Sequence, residues 1–411
     1  MKNINFIKDP IYGEISFSDS EKWIVELINT SEFKRLKNII QLGTCHFAFP
    51  SAVHNRFIHS LGVFYLARLF LQNIKSSKEI DDETYKAILT ASLLHDIGHG
   101  PSSHSFELYM NGNFHHEDMT IRMIENKEGQ IYPILKKNNI NIDLIIQIIE
   151  NKTDEPWKHQ IVSSGIDADR LDYLMRDSYF SGAIYGRVDH SILMKWILVK
   201  NNQICFDKKA YNVVENVLYS RITMFKQIYL HKMGVLKETL VIKLFKRIYD
   251  LNKIGFNFKD EKRLMYLLEP FLNDGIDKWD INLYLQFTDI TLSQLIESIS
   301  KEDDEILKKL SNSYINDSEF ELIPIQKDKE KNEELLKEII NGFGKKITDE
   351  EIKYYFATIY SVKTLYSSKK DNIMIFNETD NSLKPITEYS DILKKLDNDE
   401  FAIDNIFCLK K

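Results

Sequence analysis

Apolar residues recur at helical spacing through most of the chain. Between residues 20 and 42, apolar positions three and four apart predict a first helix. The same spacing predicts helices over residues 57–75, 82–96, 116–126, 143–150 and 167–179, a long helix over 211–252, and helical structure over 283–312. The pattern therefore predicts a mainly α-helical protein.

Strand-like patterns are short and lie mostly near the end of the chain. They cover residues 203–206, 354–360 and 373–376, and residues 369–372 are predicted to turn between strands. A charged run over 328–338 favours a helix. We place a boundary near residue 255, with a core domain over 1–255 and a C-terminal region over 256–411. That region is predicted to be helical at first and mixed α/β after about residue 315.

Composition narrows the class of protein. The 411 residues are 43% hydrophobic and 12% aromatic, as expected of a globular protein. The net charge of -7 argues against bulk nucleic-acid binding, but a polyphosphate pocket needs only a few local cations. Three distant cysteines predict no disulfide framework. The N-terminus lacks a signal-peptide core, and no apolar run approaches the ~18 residues that span a membrane. A cytoplasmic enzyme without a membrane partner is therefore expected.

Four separated residues have the types and order of a metal site. His95 and Asp96 form a doublet, His59 lies upstream and Asp169 lies in an acidic cluster downstream. Two imidazoles and two carboxylates make a mixed nitrogen and oxygen site for one divalent transition metal. Such an ion lowers the pKa of its bound water and polarises a phosphoryl group. The order of these residues is that of a metal-dependent phosphohydrolase.

Helical geometry tests whether these side chains can meet. Arg56 and His59 are three residues apart and can face one side of a helix start. His95 and Asp96 would point about 100° apart within a continuous helix, so both reach one metal only at a helix end. Gly98 provides that end. The alternative interpretation of the first pair is a surface arginine and a core histidine.

The acidic cluster has a helical repeat of its own. Asp169, Tyr173 and Asp177 follow i, i+4, i+8 spacing, which aligns them on one helix face. A carboxylate, a ring and a second carboxylate in one line suit a metal, a sugar and a sugar hydroxyl. Asp167 and Asp172 lie off that line and are interpreted as capping or salt-bridge residues.

Two histidines follow the His-Asp doublet. His99 and His104 titrate near neutral pH, so each can donate a proton to a leaving oxygen or stabilise phosphate charge. An isolated doublet is explained equally well by a capping aspartate and a buried histidine. That interpretation leaves His99 and His104 unexplained.

Several ordered motifs closely resemble one family, the HD-domain deoxynucleoside triphosphate triphosphohydrolases. The motifs are Phe33–Lys37, Gln41–Gly43, His54–Val63, His95–Pro101, His116-Glu117 and Gly165–Asp177. The resemblance covers roughly residues 5 to 250. Beyond that only fragments match, such as Tyr284–Asp289.

The resemblance implies an HD-domain helical core, a smaller mixed α/β C-terminal region, and a set of roles. The metal, one Mn, Fe, Zn, Co or Ni ion, is held by His59, His95, Asp96 and Asp169. Mg²⁺ accompanies the substrate triphosphate. The catalytic group is His99, His104 and His116. The substrate-binding residues are Gln41, Leu42, Arg56, Arg170, Tyr173, Asp177, Arg221 and Tyr229. For the pair at 41–42 the alternative is ordinary helix-end packing, and for the 221–232 segment an amphipathic helix with a solvated basic edge.

The resemblance also implies a homo-oligomer, a dimer or tetramer, with a regulatory nucleotide between subunits. In the vertebrate branch an Asp, a Gln and an Arg read guanine where this chain has Asn29, Lys34 and Lys37. An asparagine carbonyl cannot accept both guanine N–H bonds as a carboxylate does. Lys209, His231 and Lys232 match a neighbouring nucleotide site. We therefore expect a nucleotide or other anion to bind with weak guanine selectivity.

The expected reaction converts a deoxynucleoside triphosphate to deoxynucleoside and inorganic triphosphate. Two alternatives stay open. One is an HD-type phosphodiesterase acting on cyclic or oligomeric nucleotides. The other is a non-catalytic nucleotide sensor or nucleic-acid-binding assembly module.

Overall fold

The computed structural model describes residues 5–110, 114–259, 265–326, 328–360, 362–402 and 404–410. Helices account for 59% of the structure and strands for 11%, so the predicted mainly α class is confirmed. Within the described residues, none of the helices has both the length and the apolar character needed to cross a bilayer.

The described residues up to position 255 form a helical core. Its helices are α1 (Lys22–Ile28), α2 (Ser31–Arg35), α3 (Arg56–Ile74), α4 (Asp82–Leu94), α5 (His104–Tyr109), α6 (His116–Glu125), α7 (Ile131–Lys137), α8 (Ile142–Ile149), α9 (Trp157–Gln160), α10 (Ala168–Ser181), α11 (His190–Lys195), α12 (Tyr211–Met224) and α13 (Lys232–Lys253). Two hairpins accompany them: β1 (Phe6–Asp9) with β2 (Gly13–Ser16), and β3 (Ile197–Lys200) with β4 (Gln203–Asp207).

The rest of the chain is helical at first and then mixed, as predicted. The helices are α14 (Glu269–Leu272), α15 (Ile281–Gln286), α16 (Asp289–Ile299), α17 (Glu305–Asn316), α18 (Lys329–Asn341), α19 (Asp349–Tyr355), α20 (Ser368–Asp371) and α21 (Asp391–Leu396). The strands are β5 (Phe320–Pro324), β6 (Ala357–Ile359), β7 (Val362–Thr364), β8 (Met374–Asn377), β9 (Ser382–Pro385), β10 (Glu400–Ala402) and β11 (Asn405–Leu409).

Three sheets organise this second region. β5, β11 and β6 form an antiparallel sheet, and β7 pairs with β10. The third sheet has the order β3-β4-β8-β9, in which β8 runs parallel to β4 of the helical core. This sheet therefore joins strands from both sides of residue 255, where the domain boundary remains a prediction.

The structure corrects four of the predicted elements. The helix over 20–42 breaks at Thr30, whose hydroxyl accepts a hydrogen bond from Phe33 N and caps α2, and the helical path ends by Asn38. The long helix over 211–252 passes through a π-helical turn at Phe225–Tyr229 and restarts as α13. Helical structure over 283–312 is divided among α15, α16 and α17. The strand over 354–360 shrinks to β6, because Thr348 and Glu351 form a capping box that begins α19.

Helices α3 and α10 approach closely, which positions most of the site. A Cβ atom at Gly62 of α3 would lie 1.8 Å from the Oδ1 atom of Asp172 in α10, so only glycine allows this approach. The apolar faces of α3, α4 and α8 form the surrounding core, with Leu61, Phe64, Leu89 and Ile145 fully buried. The site is thus built on rigid, well-packed helices.

Candidate metal centre and active site

The four proposed metal ligands lie close together at the starts or ends of three helices. His59, His95 and Asp169 each place one ligand atom within 4.8 Å of the others, and Asp96 lies beside both histidines. His59 lies in the first turns of α3, His95 is the C-cap of α4, Asp96 follows it, and Asp169 lies in the first turn of α10. His59 Nε2 lies 3.0 Å from Asp169 Oδ1 and 3.5 Å from Asp96 Oδ2. His95 Nε2 lies 3.4 Å from Asp96 Oδ1 and 3.7 Å from Asp169 Oδ1. The helix end at His95 lets both members of the doublet face the same point.

The donor atoms of this cluster fit a metal ion. Among the described residues, His59 Nε2 and His95 Nε2 are buried and have no hydrogen-bond partner. Their other ring nitrogens are held, His59 Nδ1 by Asp172 at 2.8 Å and His95 Nδ1 by the carbonyl of Ser92 at 2.9 Å. A histidine that donates through one nitrogen presents the lone pair of the other, as metal-binding histidines do. Asp169 is 34% exposed, so the cluster is open on that side.

A buried ionic network fixes the orientation of His59. Asp172 accepts hydrogen bonds from Arg176 at 2.8 Å and from the Tyr12 hydroxyl at 2.7 Å, and Arg176 also reaches Asp9 at 2.8 Å. Burial raises the pKa of Asp172, but the charge of Arg176 and the hydrogen bonds lower it to about 2. Burial lowers the pKa of His59, but the neighbouring carboxylates of Asp169 and Asp172 raise it to about 10. The interpretation of Asp172 as a salt-bridge residue is confirmed.

Asp167 has the capping role that the sequence predicts. Its Oδ1 atom accepts a hydrogen bond from the backbone N–H of Arg170 at 2.6 Å, which begins α10. The carboxylate therefore satisfies a free N–H group of the first helical turn. It also lies 3.3 Å from the Arg170 guanidinium. Asp167 thus fixes both the start of α10 and one edge of Arg170.

The proposed catalytic histidines lie beside the metal cluster. His99 Nε2 is 3.2 Å from Asp96 Oδ1, and its ring stacks on that of His116 with centroids 3.8 Å apart. His116 Nδ1 is 2.5 Å from Glu107 Oε1. Burial, followed by the charges of Arg56 and His116, holds the pKa of His99 well below its usual value. His104 begins α5, but its side chain lies outside the described residues.

Asp96 belongs to a separate group of candidate ligand atoms, with His99 and His116. Asp96, His99 and His116 each place one such atom within 4.8 Å of the others, as do His59, His95 and Asp169. Arg56 forms a buried ion pair with Asp96 and donates to Ser103 Oγ at 3.0 Å. A cation at this place disfavours a second metal ion on the same carboxylate. We therefore interpret His99 and His116 as neighbours of the metal rather than ligands.

The proposed sugar residues also come together. Tyr173 and Tyr229 pack edge to face with ring centroids 5.9 Å apart. Asp177 accepts hydrogen bonds from the Tyr229 hydroxyl and from His54 Nε2, both at 2.7 Å. His54 in turn accepts the backbone N–H of Gln41 at 3.0 Å through its carbonyl oxygen. The residues proposed for the sugar thus share one region of the fold.

Gln41 and Leu42 lie in a turn that leads directly into the 3-10 helix Gly43–Ala48, of which Leu42 is the N-cap. Leu42 is buried, and Gln41 Oε1 is buried without a hydrogen-bond partner among the described residues. Gly43 adopts a φ of 50°, and a Cβ atom there would lie 2.5 Å from the carbonyl oxygen of Ser102. The turn therefore packs directly against the loop that follows the His-Asp doublet.

Arg170 and Arg221, two of the proposed phosphate-binding residues, share a partner that the sequence did not predict. Asp371 Oδ1 accepts from Arg170 Nη1 at 3.1 Å and from Arg221 Nη1 at 2.9 Å. This aspartate lies 201 and 150 positions from the two arginines. The sequence carries no local signal for such a contact.

The residues proposed for a regulatory nucleotide lie on the surface of the fold. Lys34 Nζ donates to the Asn29 carbonyl at 2.6 Å, and Lys37 Nζ lies over the Phe57 ring. Lys209 Nζ is 3.3 Å from an exposed glutamate and lies over an indole ring. His231 caps the start of α13, whose first residue is Lys232. Their regulatory role remains a proposal.

Asp289 is a second functional candidate that sequence reasoning missed. Its two carboxylate oxygens accept backbone N–H bonds from Ser102 and Ile40, both at 2.7 Å. Ser102 and Ser103 both have positive φ values, 61° and 56°, which residues other than glycine rarely adopt. Asp289 therefore fixes a strained loop beside Arg56. The only signal in the sequence was the motif fragment that ends at this residue.

The pKa of Asp289 predicts a pH-dependent contribution to stability. Burial raises this pKa to about 6, although both backbone hydrogen bonds lower it. The folded protein therefore binds this proton more tightly than the unfolded chain, whose aspartate pKa is about 3.9. Stability from this group must fall as the pH rises between these values. Between about pH 5 and about pH 7.5, we expect the free energy of unfolding of the wild type to fall by about 1 kcal/mol relative to that of Asp289→Asn. Urea unfolding of both proteins measures this, and a difference independent of pH would contradict it.

Comparison with known proteins agrees with this geometry. A family model described as the HD domain matches residues 56–177, which include all four proposed metal ligands. The chain is 34% identical over 424 residues to uncharacterized protein MG461 of Mycoplasma genitalium, covering 98% of this chain and 97% of that protein. It is 34% identical over 286 residues to the deoxynucleoside triphosphate triphosphohydrolase SAMHD1 homolog of Dictyostelium discoideum, covering 66% of this chain and 54% of that protein.

A solved structure extends the similarity to the whole fold. The phosphohydrolase BT4208 of Bacteroides thetaiotaomicron superposes with a TM-score of 0.82 at 28% identity, covering 99% of each chain. The helical core, the group of candidate metal ligands and these similarities define an HD-superfamily phosphohydrolase. The chain belongs to an HD-domain family whose members are similar to the deoxynucleoside triphosphate triphosphohydrolases. HD domains are metal-dependent, in agreement with the donor atoms found here.

Proposed function

We propose that this protein hydrolyses deoxynucleoside triphosphates to deoxynucleoside and inorganic triphosphate. One observation carries the proposal. The proposed metal ligands, the tyrosine pair and two arginines all lie around the first two turns of α10. Along that helix Asp169 faces the metal cluster, Arg170 reaches Arg221 through Asp371, and Tyr173 packs against Tyr229. A deoxynucleoside triphosphate carries the matching groups, a reactive phosphorus between a sugar and a polyanion.

His59, His95, Asp96 and Asp169 would hold a divalent metal ion, which would supply an activated water and polarise the α-phosphoryl group. Side chains of the protein bind the substrate and stabilise its charge. Arg170 and Arg221 bind the triphosphate through charge-assisted hydrogen bonds, and Arg56 stabilises charge beside Asp96. Tyr173, Tyr229 and Asp177 hold the sugar.

His99 is the proposed proton donor to the leaving 5′-oxygen. Burial and the charges of Arg56 and His116 hold its pKa well below the usual value. A bound polyanion favours the charged imidazolium, so substrate binding itself raises the pKa of this group. His116 stacks on His99, and Glu107 orients His116. His104 begins the next helix and is proposed to bind a phosphate oxygen.

The direct test is to incubate the purified protein with each deoxynucleoside triphosphate in Mn²⁺ or Mg²⁺ and to resolve the products. Release of deoxynucleoside and intact triphosphate supports the proposal. A nucleoside monophosphate would indicate the phosphodiesterase alternative, and binding without turnover would indicate a sensor.

The same assay with added GTP, dGTP or adenine nucleotides tests regulation. Strict dependence on guanine would contradict the weak selectivity expected from Asn29.

Discrimination against ribonucleotides is a specific prediction of this pocket. Gln41 lies in the turn joined to Asp177 through His54, and we propose that this turn excludes a 2′-hydroxyl from the sugar position. We expect kcat/KM for GTP to be at least about 100-fold below that for dGTP. Gln41→Ala is expected to narrow this ratio, because it removes side-chain volume from the turn. Comparable kcat/KM values for GTP and dGTP in the wild type would contradict the sugar assignment.

A further inference from the structure

Asp371 places the C-terminal region inside the proposed active site. It is the last residue of α20, and only 8% of it is exposed. Its Oδ1 atom accepts a hydrogen bond from Arg170 on α10 and another from Arg221 on α12. A single carboxylate oxygen thus joins two cations from different helices.

Three features hold Asp371 in place. Its other oxygen, Oδ2, accepts the backbone N–H of Ser367 at 3.0 Å. The strand that follows, β8, pairs in parallel with β4 of the helical core, in the register Cys205 to Met374. A Cβ atom at Gly165 would lie 2.4 Å from the Asp371 carbonyl oxygen, so the chain runs close to the loop before α10. The carboxylate is therefore built into the fold rather than resting on its surface.

The two arginines keep donors for a ligand while they bind Asp371. Each guanidinium has five N–H groups in a planar fork, and the aspartate accepts one from each. Arg221 Nε is buried and has no hydrogen-bond partner in the described part of the chain. The side chains of Arg170 and Arg221 are 26% and 13% exposed, so part of each fork is open to solvent. Two like charges held this close would otherwise repel each other, and the carboxylate offsets that repulsion.

The cation pair lies beside the metal cluster. Burial raises the pKa of the Tyr173 hydroxyl to about 12, while the charges of Arg221 and Arg170 act to lower it and that of Asp169 to raise it. All three charged groups thus act on one hydroxyl. Arg170 directly follows Asp169 in the first turn of α10, which places the cation pair next to a proposed metal ligand.

We propose that Asp371 is a positioning residue that aims the free donors of Arg170 and Arg221 at the polyphosphate of the substrate. The C-terminal region then completes the polyphosphate site rather than forming a separate unit. This inference rests on the proposed function, because it takes the triphosphate as the ligand of the two arginines. The other arrangement, in which the carboxylate stands where a phosphate oxygen binds and must leave, predicts opposite effects of substitution.

The test compares the wild type with Asp371→Asn, which keeps the size of the side chain and removes its charge. Titration calorimetry with inorganic triphosphate measures the polyphosphate site directly. We expect Asp371→Asn to weaken triphosphate binding about tenfold and to raise KM for a deoxynucleoside triphosphate by a similar factor. We expect kcat to stay within about threefold, because the arginines contact the triphosphate before and during the reaction. Inhibition by deoxynucleoside and the bound metal content should not change.

Two further variants separate positioning from a general structural effect. Asp371→Glu retains the carboxylate and is expected to recover part of the triphosphate affinity. Asp380→Asn removes an exposed carboxylate from the turn between β8 and β9 and should match the wild type. Deoxynucleoside inhibition that weakens together with triphosphate binding in Asp371→Asn would indicate disruption of the whole site and overturn the inference.

The outcomes distinguish this inference from the proposed function. Equal or tighter triphosphate binding by Asp371→Asn, with wild-type hydrolysis intact, overturns the positioning role alone. A wild type that binds triphosphate and loses it in Asp371→Asn, yet hydrolyses no deoxynucleoside triphosphate, overturns the proposed function alone. A wild type that binds no triphosphate overturns the inference, because the two arginines would then not form a polyphosphate site.

Discussion

Asp169→Ala is expected to remove both the bound metal and the hydrolytic activity. Asp169 Oδ1 is 3.0 Å from His59 Nε2 and 3.7 Å from His95 Nε2, so it faces both proposed imidazole ligands. Loss of a partner that merely orients a ligand costs 10- to 100-fold in metal affinity, so loss of a ligand itself should cost more than about 100-fold. Metal analysis after dialysis and a deoxynucleoside triphosphate assay measure the two effects.

The controls for Asp169→Ala separate metal loss from misfolding. Asp169→Asn has nearly the same volume and should also lose the metal, because the amide is a poorer ligand than the carboxylate. Asp118→Ala removes an exposed carboxylate from α6 and should keep wild-type metal content. His59→Ala should behave like Asp169→Ala. Full metal occupancy in both Asp169→Ala and His59→Ala would show that the ligand assignment is wrong.

Periodicity in the sequence predicted the core helices well, because each buries a regular apolar face. Predicted helices over 57–75, 116–126 and 143–150 correspond to α3, α6 and α8 within one or two residues at each end. The doublet at 95–96 was also placed correctly at a helix end. The spacing of residues that are close in sequence is enough to predict these helices and this helix end.

The failed predictions have identifiable physical causes. Tyr354, Tyr355 and Phe356 have the aromatic character of a strand, but the capping box at Thr348 starts a helix that continues through Tyr355. The π-helical turn after α12 contains no proline or glycine, so the sequence did not predict a break in the helix there. In both cases a specific hydrogen-bond pattern outweighed the average preference of the residues.

The residues of the candidate site also fall into two groups: those that local sequence predicts and those that only tertiary packing brings to the site. Motif residues such as His59 and His95 could be named from the sequence, because order and residue type together indicate their chemistry. Asp371 and Asp289 could not, because each reaches the site only through tertiary packing. The parallel pairing of β8 with β4 brings Asp371 to the arginines, and a parallel pair has no local turn that would predict it. Asp371 and Asp289 were therefore not predictable from the sequence, while the carboxylates proposed to bind the metal were.

His99→Ala is expected to keep the metal and lose turnover by about 10²–10⁴-fold, the range for removal of a proton-transfer group. His99 Nε2 lies 3.2 Å from Asp96 Oδ1, but His99 is not one of the four proposed metal ligands. The side chain is only 1% exposed, so alanine leaves a cavity. His99→Gln fills most of that space and should be similarly inactive, because glutamine cannot transfer a proton at neutral pH.

His115→Ala is the matched control for His99→Ala. Its side chain is 63% exposed beside His116, so wild-type turnover is expected. Metal content and kcat are to be measured for all three variants. Wild-type turnover in His99→Ala would exclude His99 from catalysis. Loss of the metal from both His99→Ala and His99→Gln would instead show that His99 is a ligand, and that the group formed by Asp96, His99 and His116 binds an ion. Retained metal with lost turnover in both His99 variants is the one result that assigns His99 to proton transfer.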